Sequence, residues 1–139
     1  MKSFQFPLEK VLAFRKRQWE AEAAMLESLI ANRAHLEAER RRIQEAMDEA
    51  ARQLASSVSV SSAILAEFRM AQAGSREAVR EIGIRLTSVH VKITEQQRVF
   101  LEARRNYELV LRLREKRYAE WQSEVQRQEE ADATESFLG

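Results

Sequence analysis

The chain has 139 residues, of which 32% are charged and 45% hydrophobic, and its formal net charge is +1. Three glycines and one proline are too few for a sheet with its turns, and the absence of cysteine excludes disulfides and thiolate chemistry. A charge this close to zero gives no global attraction to nucleic acid or anionic lipid. Because no signal peptide and no apolar run of about 20 residues is visible, we expect a soluble, unexported protein.

The first predicted element is a long helix over residues 7–55, which opens at Pro7 because proline suits a first turn. Phe4 and Phe6 precede it and either pack back as a staple on Val11 or the second helix, or form a hook that faces a partner. Steps of three and four residues define a first seam, in which ten of fourteen positions are apolar. This seam consists of Leu8, Leu12, Arg15, Trp19, Glu22, Leu26, Leu29, Arg33, Leu36, Arg40, Ile43, Met47, Ala50 and Leu54.

Residues 56–75 form the predicted turn region. Serine competes with helix by bonding its own backbone, and Ser61 or Ser62 can cap the helix that follows. We expect a short apolar helix over residues 62–73, which stops at Gly74 before the chain restarts.

One face of this short helix carries Ile64, Leu65 and Phe68. These side chains either cap the end of a coiled coil or form an exposed docking tip, because large apolar groups there have little protein to bury against.

A second long helix is predicted over residues 76–128, followed by a frayed acidic tail over residues 129–139. Its seam keeps an average period of 3.5 residues, which favours supercoiling around a partner helix. The seam consists of Val79, Ile82, Leu86, Val89, Ile93, Gln96, Phe100, Ala103, Tyr107, Val110, Arg114, Arg117, Trp121 and Val125.

Two matched seams joined by a short connection predict an all-α fold, a long antiparallel two-helix coiled-coil hairpin with a short helix at the turn end. We treat residues 1–139 as a single coiled-coil domain. A parallel homodimer of each helix is the alternative, but closing a short connection costs little entropy. Pairing Leu54 with Val79 sets the predicted register, which places Trp19 near Arg114.

The sequence gives little support for catalysis. The two histidines lie far apart in this register, and no cluster of histidine and carboxylates has metal spacing. No glycine-rich phosphate loop is present. We therefore expect no enzyme activity, no cofactor and no metal.

Basic and aromatic residues gather where the two chain ends meet. Residues 98–117 contain seven basic and three acidic side chains. A solvated face with pairs inside each helix is one interpretation, but clustering from both helices favours an interface, since Arg, Trp and Tyr are typical of interface cores. No nucleic-acid recognition motif accompanies the charge. The candidate contact residues are Arg15, Arg17, Trp19, Arg112, Arg114 and Arg117.

Three stretches of this sequence form recognisable motifs. They are Phe4-x-Phe6-Pro7-Leu8-x-x-Val11-Leu12-x-x-Arg15, Leu101-Glu102-Ala103-Arg104-Arg105-x-Tyr107 and Leu113-Arg114-Glu115-Lys116-Arg117-Tyr118. In these stretches the sequence resembles the FliJ family, the stalk proteins of the bacterial flagellar type III export apparatus. The resemblance covers nearly the whole chain, and the YscO-type injectisome stalks are similar.

The resemblance implies a cytoplasmic, non-enzymatic stalk similar to the two-helix stalk of the F-type ATPase γ subunit. Its basic aromatic end would enter the hexameric export ATPase of the FliI type, promoting assembly and activity. Ile64, Leu65 and Phe68 would contact the export gate protein of the FlhA type, and export chaperones are further partners. The protein would be peripheral to the inner membrane through its partners only.

The sequence is also compatible with two other functions. A coiled-coil export chaperone or scaffold, or an injectisome stalk, would bind secretion clients through the apolar tip. A nucleic-acid-associated rod would show an affinity that falls steeply with salt.

Overall fold

The computed structural model describes residues 3–139, which form two helices, α1 (Glu9–Ala55) and α2 (Ser62–Leu138). No strand occurs within residues 3–139. The two helices pack on each other in opposite directions. The predicted all-α class and the antiparallel two-helix hairpin are therefore confirmed.

Side-chain oxygens of serine organise both ends of the connection at residues 56–61. The Ser56 and Ser57 hydroxyls each donate to the Gln53 carbonyl across 3.0 Å, which satisfies an acceptor at the end of α1. Ser61 Oγ accepts from the Ile64 backbone N–H at 3.2 Å. Ser61 is thus the N-cap of α2, one of the two serines predicted for that role.

The predicted break at Gly74 is wrong, because α2 runs without interruption from Ser62 to Leu138. Gly74 has no positive φ. A glycine inside a helix costs about 1 kcal/mol, which is too little to end a helix whose neighbouring turns keep packing. The predicted short helix over residues 62–73 is therefore the first part of α2. The residues predicted as a frayed tail, 129–138, are helical too.

Backbone contacts divide the chain into two units. One unit joins the residues up to Ala23 to Arg98–Gly139, and the other is Ala24–Gln97. The single-domain interpretation stays a prediction.

The central unit, Ala24–Gln97, has an apolar core made by the two predicted seams. Four residues of the α2 seam and one of α1 are buried, and three further seam residues of α1 pack against them. The buried residues are Leu36, Ile82, Leu86, Val89 and Ile93, and those packed on them are Leu26, Leu29 and Ile43. The seam assignment is confirmed in this unit.

A polar side chain, Gln96, is buried at a seam position of the same unit, with 8% of its surface exposed. A polar residue at a core position of a coiled coil specifies register at some cost in stability. Gln96 therefore marks the alignment of α2 against α1.

The pairing register differs from the prediction by about three helical turns. Glu9 pairs with Arg114, and Trp19 contacts Phe100 and Tyr107 rather than Arg114. The error follows from the predicted break at Gly74. Because α2 begins at Ser62 and its first turns already face α1, where Phe68 and Met47 border one gap, the later residues of α2 meet earlier residues of α1 than expected.

Candidate partner-binding surfaces

Residues 3–8, which precede α1 and which we call the arm, pack on α2. The aromatic side chains of this contact, Phe4, Tyr118 and Trp121, form what we call the arm cluster. The Phe4 ring meets Tyr118 edge-on with centroids 5.2 Å apart and lies 5.9 Å from the Trp121 ring. Tyr118 and Trp121 are stacked at 5.7 Å, one turn apart on α2. Phe4 therefore acts as the staple onto the second helix, one of the two roles predicted for it.

Arg114 ties the arm cluster to the start of α1. Its Nε donates to a Glu9 carboxylate oxygen at 3.0 Å, and its guanidinium carbon lies 5.4 Å from the centre of the Phe4 ring. A cation over an aromatic face is attracted by the ring quadrupole. This arginine is thus partly buried and engaged within its own unit.

Trp19 belongs to a separate aromatic group, also within the terminal unit. Its ring stacks on Tyr107 at 5.3 Å and 19° and lies 6.5 Å from Phe100. The prediction that Trp19 lies near Arg114 is therefore wrong, a consequence of the register. The Trp19 Nε1 is buried and has no hydrogen-bond partner among the described residues.

The other candidate arginines are mostly exposed. Arg15 hydrogen-bonds Gln18 at 3.2 Å and lies 5.9 Å from the Phe14 ring centre, whereas Arg17 is exposed. Arg112 lies 3.8 Å from Glu108, with 73% of its side chain exposed. The contacts of Arg15 and Arg112 are local to each helix. Arg15 is partly buried, whereas Arg17 and Arg112 face solvent.

An open groove of about 700 Å³ runs between the arm and α2. Arg117 lies on its wall and pairs loosely with Glu120 at 3.9 Å. The groove places a basic side chain beside the arm cluster, which combines charge with aromatic surface. Its lining residues include Phe6, Leu8, Leu113, Arg117, Trp121 and Glu124.

The predicted tip residues divide between packing and exposure. Leu65 and Phe68 are half-buried, whereas 53% of Ile64 is exposed. Phe68 borders a gap of about 180 Å³ against α1, which Ala46, Met47 and Ala50 also line. The alanines leave the space open, since they carry no side chain beyond Cβ. Both predicted roles for the tip, cap and docking surface, thus have side chains suited to them.

A basic leucine face on the outer side of α2 was not predicted. Leu101 and Leu109 are 52% and 56% exposed, and they share an open groove with three arginines and one glutamate, Arg104, Arg105, Arg112 and Glu108. The glutamate pairs with Arg104 at 3.0 Å, so the groove keeps a net positive charge of two. The signal was present in the sequence as leucines that lie off the seam. We define the basic leucine face by these six residues.

Within residues 3–139, no group of three or more histidine or carboxylate side chains could hold a metal ion. The same range has no helix with the length and apolar character needed to cross a membrane.

Comparison with known proteins identifies a family. The profile of the flagellar FliJ protein family matches residues 4–135, which include α1, nearly all of α2 and the arm cluster. No curated protein and no solved structure matches the chain significantly. The family match spans the arm cluster and both seams. The chain therefore belongs to the FliJ family, whose role is that of a non-catalytic component of flagellar protein export.

Proposed function

We propose that the protein is the stalk of the flagellar type III export apparatus. It binds the hexameric export ATPase, promotes its assembly and activity, and links it to the export gate. Family membership supports the export role. The observation that carries the ATPase contact is the groove beside the arm cluster, where Arg117 borders aromatic surface.

The proposed ATPase surface combines exposed and anchored arginines. Arg17, Arg112 and Arg117 are exposed and available for contact. Arg15 and Arg114 are partly buried, and Arg114 holds Phe4 and Glu9 in place. Trp19 supports this surface from inside its stack with Tyr107. Exposed arginines beside aromatic rings are typical of binding hot spots.

A stalk of this kind acts through binding alone. If it binds the assembled hexamer more tightly than separate subunits, it shifts the equilibrium toward the hexamer. The coupling is reciprocal, so the hexamer also binds the stalk more tightly than a subunit does. No cofactor takes part.

The proposed gate surface is the start of α2, with Ile64, Leu65 and Phe68 as contacts. Exposed Ile64 and the gap beside Phe68 offer apolar surface to a partner of the FlhA type. We place the protein in the cytoplasm, at the periphery of the inner membrane through these partners, with export chaperones as further ligands.

A second candidate function is that of an export chaperone or scaffold. It is favoured by the exposed apolar side chains around the connection, since Val58 is fully exposed and Met70 is 76% exposed. Such side chains could hold an unfolded secretion client. An injectisome stalk would share the same architecture.

The deciding experiment titrates the full chain into the cognate flagellar export ATPase and follows ATP hydrolysis alongside size-exclusion chromatography. We expect stimulation together with co-elution at hexamer size. If neither occurs while circular dichroism shows a helical protein, the stalk proposal is wrong and client binding becomes the function to test.

A further inference from the structure

The last part of α2 is a helix without packing. Every side chain from Gln126 to Leu138 is exposed, and Phe137 and Leu138 are 89% and 78% exposed. An isolated helical segment of this length is marginal in water, because most helical stability in proteins comes from packing. Something other than α1 is needed to stabilise it.

Its charge has the wrong sign for a helix end. Residues 118–139 contain six acidic side chains and one basic, and the last turn has no basic residue. The C-terminal end of a helix carries partial negative charge, so acidic residues there are unfavourable. A basic surface laid against this acidic end would remove the penalty.

Such a surface lies on the same helix. The preceding stretch, residues 98–117, carries seven basic and three acidic side chains. The basic leucine face lies here, turned away from α1, with Leu101 and Leu109 about half exposed. Because α2 is continuous, the acidic end cannot fold back onto this face of its own chain, but it can reach that of another copy.

The helical spacing matches a two-fold arrangement. Leu101 and Phe137 are 36 residues apart, which is about ten turns, so they lie on one face of α2. Ala119 lies midway between them and is also exposed. A small residue at a crossing point lets two helices approach closely. An antiparallel pair centred there sets Leu101 of one copy opposite Phe137 of the other.

We propose that two copies of this chain, when not bound to the ATPase, pair antiparallel through the outer face of α2, with Ala119 at the two-fold axis. The acidic end of each helix lies along the basic leucine face of the other. The contact is isologous, so it closes at two copies and does not extend into a fibre. Opposite charge fixes the antiparallel direction, because a parallel pair would set acid against acid.

Cross-linking tests the geometry directly, since the chain has no cysteine of its own. The full-length Ala119→Cys variant should form an intermolecular disulfide under mild oxidation. The matched Ala133→Cys variant should not, because its two copies lie about 40 Å apart in this arrangement. Equal cross-linking at both positions would indicate a parallel or random association and would overturn the proposal.

Sedimentation equilibrium of the full chain measures the pairing itself. We expect a dimer that weakens with added salt, and at least tenfold weaker pairing in the Phe137→Glu variant. Met70→Glu, which adds the same charge at another exposed apolar position, should pair as the wild type does. A monomeric mass at every concentration, with helicity intact, would overturn the pairing and leave the acidic helix end to a different protein.

Discussion

The guanidinium of Arg114 on α2 pairs with the carboxylate of Glu9 in the first turn of α1, at 3.0 Å. The same arginine lies over the Phe4 ring, so one side chain joins the start of α1, the arm and α2. A glutamate in a first turn also interacts favourably with the helix dipole.

This relationship predicts a graded response. The Glu9→Gln change should lower the free energy of unfolding by less than about 1 kcal/mol, because the pair is partly exposed and screened. Arg114→Glu should cost more, since it also removes the contact with Phe4 and repels Glu9. Chemical denaturation and Trp121 fluorescence measure the two effects. Arg52→Gln, which breaks an exposed pair with Glu49, is the control and should leave the fluorescence unchanged.

The buried, unpartnered Nε1 of Trp19 predicts an asymmetry between two substitutions. Trp19→Phe keeps the stacking on Tyr107 and removes a donor that is costly to bury, so stability should change by less than about 1 kcal/mol. Trp19→Ala removes the ring and should cost about 2 kcal/mol, given its partial burial. Thermal unfolding distinguishes them. Equal losses would show that the indole N–H contributes to the fold.

Gly74 offers a test of helix continuity. An added Cβ would meet nothing within 4 Å, and φ is not positive. Gly74→Ala should therefore stabilise the protein by about 0.5–1 kcal/mol, through helix propensity. A loss of stability would mean that the chain breaks at this position. Gly83→Ala, where an added Cβ also meets nothing within 4 Å, should give a similar gain.

The double change Arg112→Glu and Arg117→Glu should abolish stimulation of the export ATPase while the far-ultraviolet circular dichroism stays unchanged. Both side chains are more than 60% exposed, so reversing their charge acts on binding rather than on packing. The matched control reverses Arg41 and Arg76, which are exposed in the central unit. Unchanged stimulation by the first variant would remove these arginines from the ATPase surface.

Phe68→Ala should weaken binding to the export gate and spare ATPase stimulation. Because Phe68 is half-buried beside Met47, the change should also lower the free energy of unfolding by about 1–2 kcal/mol. Ala50→Leu gives an independent test, as it fills the neighbouring gap without removing the aromatic ring. If gate binding survives both changes, this part of α2 serves the hairpin alone.

The sequence predicted which side chains are buried between the helices but not which residues they contact. Ile82, Leu86, Val89 and Ile93 are buried as the 3.5-residue period requires. The predicted register failed because shifting one helix along the other keeps a heptad pattern satisfied, so the prediction depended on where α2 begins. The prediction placed that start just after Gly74. The small free-energy cost of a glycine in a helix is outweighed by packing that the sequence does not display.

The sequence predicted the residues of the candidate site better than it predicted their contacts. Phe4, Tyr118 and Trp121 meet at the arm, but Trp19 lies with Tyr107 instead. The basic leucine face was missed because leucines off a seam are common on surfaces. The charge of that face becomes informative only when it is compared with the opposite charge of the end of α2, which the structure shows to be exposed.

Gln96 has a mechanical consequence. Moving one helix along the other by a heptad, about 10.5 Å, would move its amide away from the α1 residues that it now faces, at a cost of about 1–3 kcal/mol if a buried hydrogen bond is lost. Within the central unit the two helices therefore resist ratcheting, although their heptad pattern alone would permit it. A force applied along one helix in this unit is therefore transmitted to the other helix rather than lost in sliding.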